Sequence, residues 1–78
     1  LERPSTDTRI EVRNLTNEAV RVTWLTAGGK AVDMGRIAPS GTYAALTTVG
    51  HVWQLIKDDG APIGWFVGER RAIVVVVR

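Results

Sequence analysis

Val20-Arg21-Val22-Thr23-Trp24-Leu25 alternates apolar and polar residues with a period of two. Successive side chains of a β-strand point to opposite faces, so Val20, Val22 and Trp24 share one face and Arg21, Thr23 and Leu25 the other. The same alternation recurs on both sides of this stretch. Upstream, Ile10 and Val12 alternate with Arg9, Glu11 and Arg13; downstream, His51, Trp53 and Leu55 alternate with Val52, Gln54 and Ile56. No segment holds a helical period over three turns.

Turn residues punctuate the chain at short, even intervals. They are Asn14 to Glu18, Ala27-Gly28-Gly29, Pro39-Ser40-Gly41, Val49-Gly50, Asp58-Asp59-Gly60 and Gly68 to Arg71. Glycine permits positive φ in such turns, and proline and asparagine favour them for their own reasons. Seven strands are expected, at 9–14, 20–26, 31–37, 42–47, 51–57, 62–67 and 72–77. Short strands at this spacing imply an all-β fold, a seven-stranded β-sandwich or a small barrel. Residues 1–8 read as a flexible lead-in and 9–78 as one β domain. The last strand, Ala-Ile-Val-Val-Val-Val, has no alternation. It is either covered on both faces or an edge strand protected from stacking by Arg70, Arg71 and Arg78.

The chain has 78 residues, which gives room for one core. A chain this short buries only about 60% of its unfolded surface, so modest stability is expected. There is no cysteine, which excludes a disulfide staple and thiolate–metal chemistry. Ten Lys and Arg stand against eight Asp and Glu, a net charge of +2. The basic residues are scattered rather than gathered into a phosphate-binding stripe, so no nucleic acid is expected as partner. The longest apolar run, 72–77, falls far short of the roughly 20 residues a membrane-spanning helix needs, and no membrane is expected. The chain begins at Leu1, as a processed product or an excised domain would.

An inventory of reactive groups points away from catalysis. His51 is the only histidine, and Ser5 and Ser40 fall in the lead-in and a turn. A nucleophilic triad needs three groups converging in a pocket, and a zinc site needs three or four ligands at a recognisable spacing. Asp58-Asp59-Gly60 is a turn signature. No enzyme, metal or cofactor is expected. Asn14-Leu15-Thr16 matches the N-glycosylation pattern, but Asn14 is better read as closing the first turn through its side chain.

The informative segment is Gly50-His51-Val52-Trp53. On a strand, His51 and Trp53 would share a face, giving a flat apolar surface beside a donor and an acceptor. Such a platform suits a compact ring with a polar substituent. The alternative is a core Trp53 with His51 satisfied at an edge. Trp24 and Trp65 read as core or sheet-face packing, and Tyr43 as half-buried.

Ile10-Glu11-Val12-Arg13-Asn14, Val22-Thr23-Trp24-Leu25, Gly29, Ile37-Ala38-Pro39 and Gly50-His51-Val52-Trp53 together resemble the von Hippel–Lindau β-domain family. The resemblance runs without a gap from Asn14 to Trp53, about half the chain. It implies a seven-stranded, prealbumin-like β-sandwich that binds protein or peptide, with hydroxyproline in an extended segment as the family's ligand. By resemblance Trp53 would floor the ring pocket, Trp24 would form a wall, and His51 and Thr47 would bond the 4-hydroxyl. Thr47 stands where the family has serine. Met34 stands where it has a tyrosine whose hydroxyl bonds the peptide backbone, and methionine cannot donate that bond. Leu46 and Thr48 on the rim also depart from the pattern. The helical domain that recruits elongin in the tumour suppressor has no counterpart here, and the Val-, Ala- and Arg-rich composition fits a stand-alone bacterial relative. The implied function is a peptide-binding module for a proline or hydroxyproline ring. The alternative is a structural or interaction domain of a larger protein in which that pocket is vestigial.

Overall fold

The alternating segments form seven strands: β1 (Asp7–Asn14), β2 (Val20–Leu25), β3 (Ala31–Ile37), β4 (Thr42–Thr48), β5 (Val52–Lys57), β6 (Pro62–Val67) and β7 (Ile73–Val77). The computed structural model describes residues 7–78, and no helix occurs among them. Strand ends lie within two residues of the sequence reading. The largest difference is at β1, where Asp7 and Thr8 of the expected lead-in belong to the strand. Thr8 is buried and pairs with Thr47 of β4. The rest of the lead-in, 1–6, lies outside the described residues.

The strands make two sheets, β4-β1-β7 and β3-β2-β5-β6. All pairings are antiparallel except β1 with β7. The expected all-β sandwich is therefore the fold. Its core takes Ile10 and Val12 from β1 and Val77 from β7; the facing sheet supplies Val20, Val22, Ile37, Trp53 and Leu55. Each fully buried aliphatic side chain contributes about 1.5–3 kcal/mol. The valine run resolves as an edge strand with one covered face. Val77 is buried and Val75 half-buried, while Val74 and Val76 are exposed.

One polar residue ties the two sheets at their closed end. Asn14 ends β1 and is 0% exposed. Its Nδ2 donates to the carbonyls of Glu18 (2.7 Å), Ile37 (3.2 Å) and Ala38 (3.3 Å). Its Oδ1 accepts from the Thr16 amide (3.0 Å) and the Thr16 hydroxyl (2.6 Å). Asn14 thus closes the first turn, as its type predicts, and also holds the end of β3 against β1. Buried within the fold, it is not an available glycan acceptor.

Two β-bulges reset which side chains face inward. Thr23 pairs with Asp33 but Val22 with Gly35, so Met34 is the extra residue in β3. Leu55 pairs with Gly64 but Ile56 with Pro62, so Ile63 is the extra residue in β6. A bulge of one residue reverses the facing of everything beyond it. Trp65 consequently pairs with Gln54 on the outer face and is 70% exposed, against the expectation of a packed indole. Phe66 takes the inner position opposite Trp53, and their rings stack with centroids 6.4 Å apart.

Candidate functional site

Antiparallel pairing of β2 with β5 sets Trp24 directly opposite Trp53 on the inward face. Directly opposed residues in such a pair share a face, so one pairing brings together the two tryptophans singled out in the sequence. Trp53 is only 3% exposed. Phe66 stacks on it, and Tyr43 tilts against it with centroids 6.4 Å apart. Its Nε1 donates to the Thr47 hydroxyl at 2.9 Å, and both groups are buried. This bond satisfies an indole N–H that would otherwise be stranded in the core.

His51 lies outside β5, in the turn that leads into it. Its amide donates to the Thr48 carbonyl at 3.0 Å, and Gly50 has φ +91°. Positive φ at the third position of a four-residue turn is what glycine supplies there. Gly68 locks the same turn from the other side. Its amide donates to the His51 carbonyl at 3.0 Å, and its carbonyl accepts from the Gly50 amide at 2.9 Å. A Cβ on Gly68 would lie 2.7 Å from the Thr48 carbonyl oxygen, so only glycine fits this approach. The half-buried His51 ring rests on Trp24, with centroids 5.3 Å apart and planes tilted by 31°. The platform of His51 beside an open Trp53 is therefore replaced by His51 on Trp24, with Trp53 beneath and enclosed.

Four expected site residues, Trp24, Thr47, His51 and Trp53, are thus linked contact by contact in one corner. The indole Nε1 of Trp24 is buried and lacks a hydrogen-bond partner. A buried unpaired donor costs about 1–3 kcal/mol, and an acceptor brought to it would recover that cost. Met34, the fifth residue, sits on the β3 bulge and is 40% exposed, outside the contacts that join the other four. Gly35 beside it has φ +141°, with its amide bonded to the Asp33 carboxylate at 3.1 Å. Tyr43 also belongs to this corner, a membership that its place in the sequence pattern does not announce. Burial pushes its phenol pKa above the usual value. Among the described residues, no three His, Asp or Glu side chains gather as a metal site requires.

Ion pairs gather around Asp58. Asp58, in the β5–β6 turn, pairs with Arg36 and with Arg21 at 3.7 Å on the outer face of the larger sheet, and Arg21 also approaches Asp33 at 3.8 Å. The Asp58-Asp59-Gly60 signature is a turn here, with the Gly60 amide donating to the Lys57 carbonyl at 2.9 Å. No protein-family model and no curated protein matches the chain.

Proposed function

We propose that this domain is a non-catalytic peptide-binding module. Its ligand is an extended segment that lays a proline or hydroxyproline ring on the Trp24–His51 corner. The observation that carries the reading is the convergence of Trp24, Thr47, His51 and Trp53, with the Trp24 indole N–H left unpaired. Trp24 offers an apolar ring face, and His51 offers polar atoms beside it. An acceptor on the ligand, a backbone carbonyl or a ring hydroxyl, would satisfy the Trp24 donor once the His51 ring swings aside. The resemblance to the von Hippel–Lindau β-domain family supports the same assignment. Met34 supplies no hydrogen bond, so affinity is expected to be weak.

The test is an NMR titration with a 4-hydroxyproline peptide and its proline counterpart, against the native domain and His51→Ala. The proposal expects the Trp24 indole signal to shift, a preference for hydroxyproline, and loss of that preference in His51→Ala. Absence of any shift at Trp24 and His51 at millimolar peptide overturns it. A second reading, an interaction domain with a closed pocket, is favoured by one observation. Trp53 is 3% exposed, and the Thr47 hydroxyl accepts its N–H, so neither group is open to a ligand as the domain stands.

A further inference from the structure

The two sheets of the sandwich are unequal. Three strands cover four, and the uncovered strand is β6, at the edge beside β7. The consequence shows in the burial of inward-facing residues. Trp53 and Leu55 of β5 are buried, whereas Phe66 and Gly64, their partners on β6, are only half-buried. A Cβ on Gly64 would meet no atom within 4 Å, although its pairing partner Leu55 belongs to the core. The resulting cleft of about 390 Å³ runs between the two edge strands, floored by Leu55, Gly64 and Phe66 and walled by Val75 and Val77.

The edge of β7 is free to extend the smaller sheet. The Val77 carbonyl accepts from the Leu15 amide at 2.8 Å, on the side of β1. Backbone groups alternate in direction along a strand, so those of Val74 and Val76 face the open edge. Their side chains are exposed and cannot block it. A strand added beside Val74 and Val76 would make a fourth strand of that sheet, with alternate side chains directed over Gly64 and Phe66.

Charge selects the occupant. Arg78 lines the cleft, whose lining holds no carboxylate, and exposed Arg70 and Arg71 precede β7 at its other end, with Glu69 beside them. Arg70, Arg71 and Arg78 make no ion pair among the described residues. Two β7 edges paired antiparallel would set Arg71 of one copy near Arg78 of the other, which disfavours a second copy. We propose that the β7 edge accepts an extended segment of a partner protein by strand addition. That segment carries an aliphatic side chain into the space above Gly64 and acidic residues at its ends. Main-chain bonds provide attachment and the Gly64 space provides selectivity, as in other strand-addition interfaces.

The probe is the capped peptide Glu-Thr-Val-Thr-Val-Thr-Glu, compared with the same peptide flanked by lysines; neither contains proline. In NMR titration and amide exchange of the native domain, the acidic peptide should shift and protect the Val74 and Val76 amides and move the Trp65 indole signal. The lysine form should bind about tenfold more weakly. Gly64→Leu fills the space and should weaken the acidic peptide by about tenfold or more while leaving the melting temperature unchanged or raised. Leu46→Ala, on the far edge strand, should leave binding unchanged. Protection at β3 or β4 instead, or equal binding by both peptides, overturns the proposal. So does a concentration-dependent dimer that Gly64→Leu abolishes, since the occupant would then be a second copy. The Trp24 and His51 signals report separately on the ring-binding proposal, so either can fail alone.

Discussion

Replacing Asn14 by alanine should destabilise the domain out of proportion to the volume removed. The side chain spends two N–H donors on three carbonyls and two lone pairs on Thr16, with a residue exposure of 0%. That is four saturated hydrogen-bonding positions, each contributing about 0.5–1.5 kcal/mol net. Thr16 and the Glu18 carbonyl lie near solvent and can recover part of their loss from water. The Ile37 carbonyl lies in the buried part of the network and cannot. A loss of about 2–4 kcal/mol follows. A domain of this size has roughly 4–12 kcal/mol in total, at about 0.05–0.15 kcal/mol per residue, so the variant should be near the limit of folding. The assay is urea unfolding followed by tryptophan fluorescence, and in a thermal melt the midpoint should fall by about 8–32 °C at roughly 4–8 °C per kcal/mol. Asn14→Asp keeps the Thr16 bonds but loses the donors to Glu18, Ile37 and Ala38. It should be at least as damaging, because a buried carboxylate then faces carbonyl oxygens. A loss below about 1 kcal/mol for Asn14→Ala, with an unchanged m-value, would refute the view that this residue pins the end of β3 to β1.

Two further outcomes follow from single contacts. Thr47→Val keeps shape but leaves the Trp53 indole N–H unpaired in the core, so urea unfolding should show a loss of about 1–3 kcal/mol that Thr47→Ser largely restores. Tyr43 is held neutral by desolvation, so its folded pKa lies above its unfolded value of about 10. The stabilisation is whole below that value and is lost as pH rises through the folded pKa. Thermal melts should therefore weaken above about pH 10, and Tyr43→Phe should remove part of that decline.

The parts of this fold legible in sequence are those set by period and turn chemistry. Ile10 and Val12, Val20 and Val22, and Trp53 and Leu55 announce their inward faces by alternation, and all six are buried. Strand number and turn positions follow equally directly. Which of the two arrangements β7 adopts depends on sheet order, a long-range property that the valine run does not encode. His51 illustrates a related limit. Alternation with Trp53 implies a shared strand face, but the Gly50 turn takes His51 out of the strand and lays it on Trp24.

The deeper illegibility lies in the bulges, and β6 shows why. Counting back from the pairing of Ile56 with Pro62, a regular hairpin would set Trp65 opposite Trp53 and turn it inward. The extra residue Ile63 advances the register by one, so Phe66 enters and Trp65 leaves. The exchange has a physical basis. Phe66 stacks on Trp53 with nothing to satisfy, whereas a third inward indole would bring another N–H into a core where Trp24 already has one unpaired. The same shift places Gly64, rather than Ile63, opposite Leu55, and so opens the space beside β7. A tryptophan exposed on the outer face and an unfilled position on the inner face therefore have one cause, a single inserted residue. Deleting Ile63 would test that link: Gly64 would then follow Pro62 directly, and a regular ladder without a bulge should keep Phe66 opposite Trp53, Trp65 exposed and the space above Gly64 open, so a buried Trp65 in that variant would refute it.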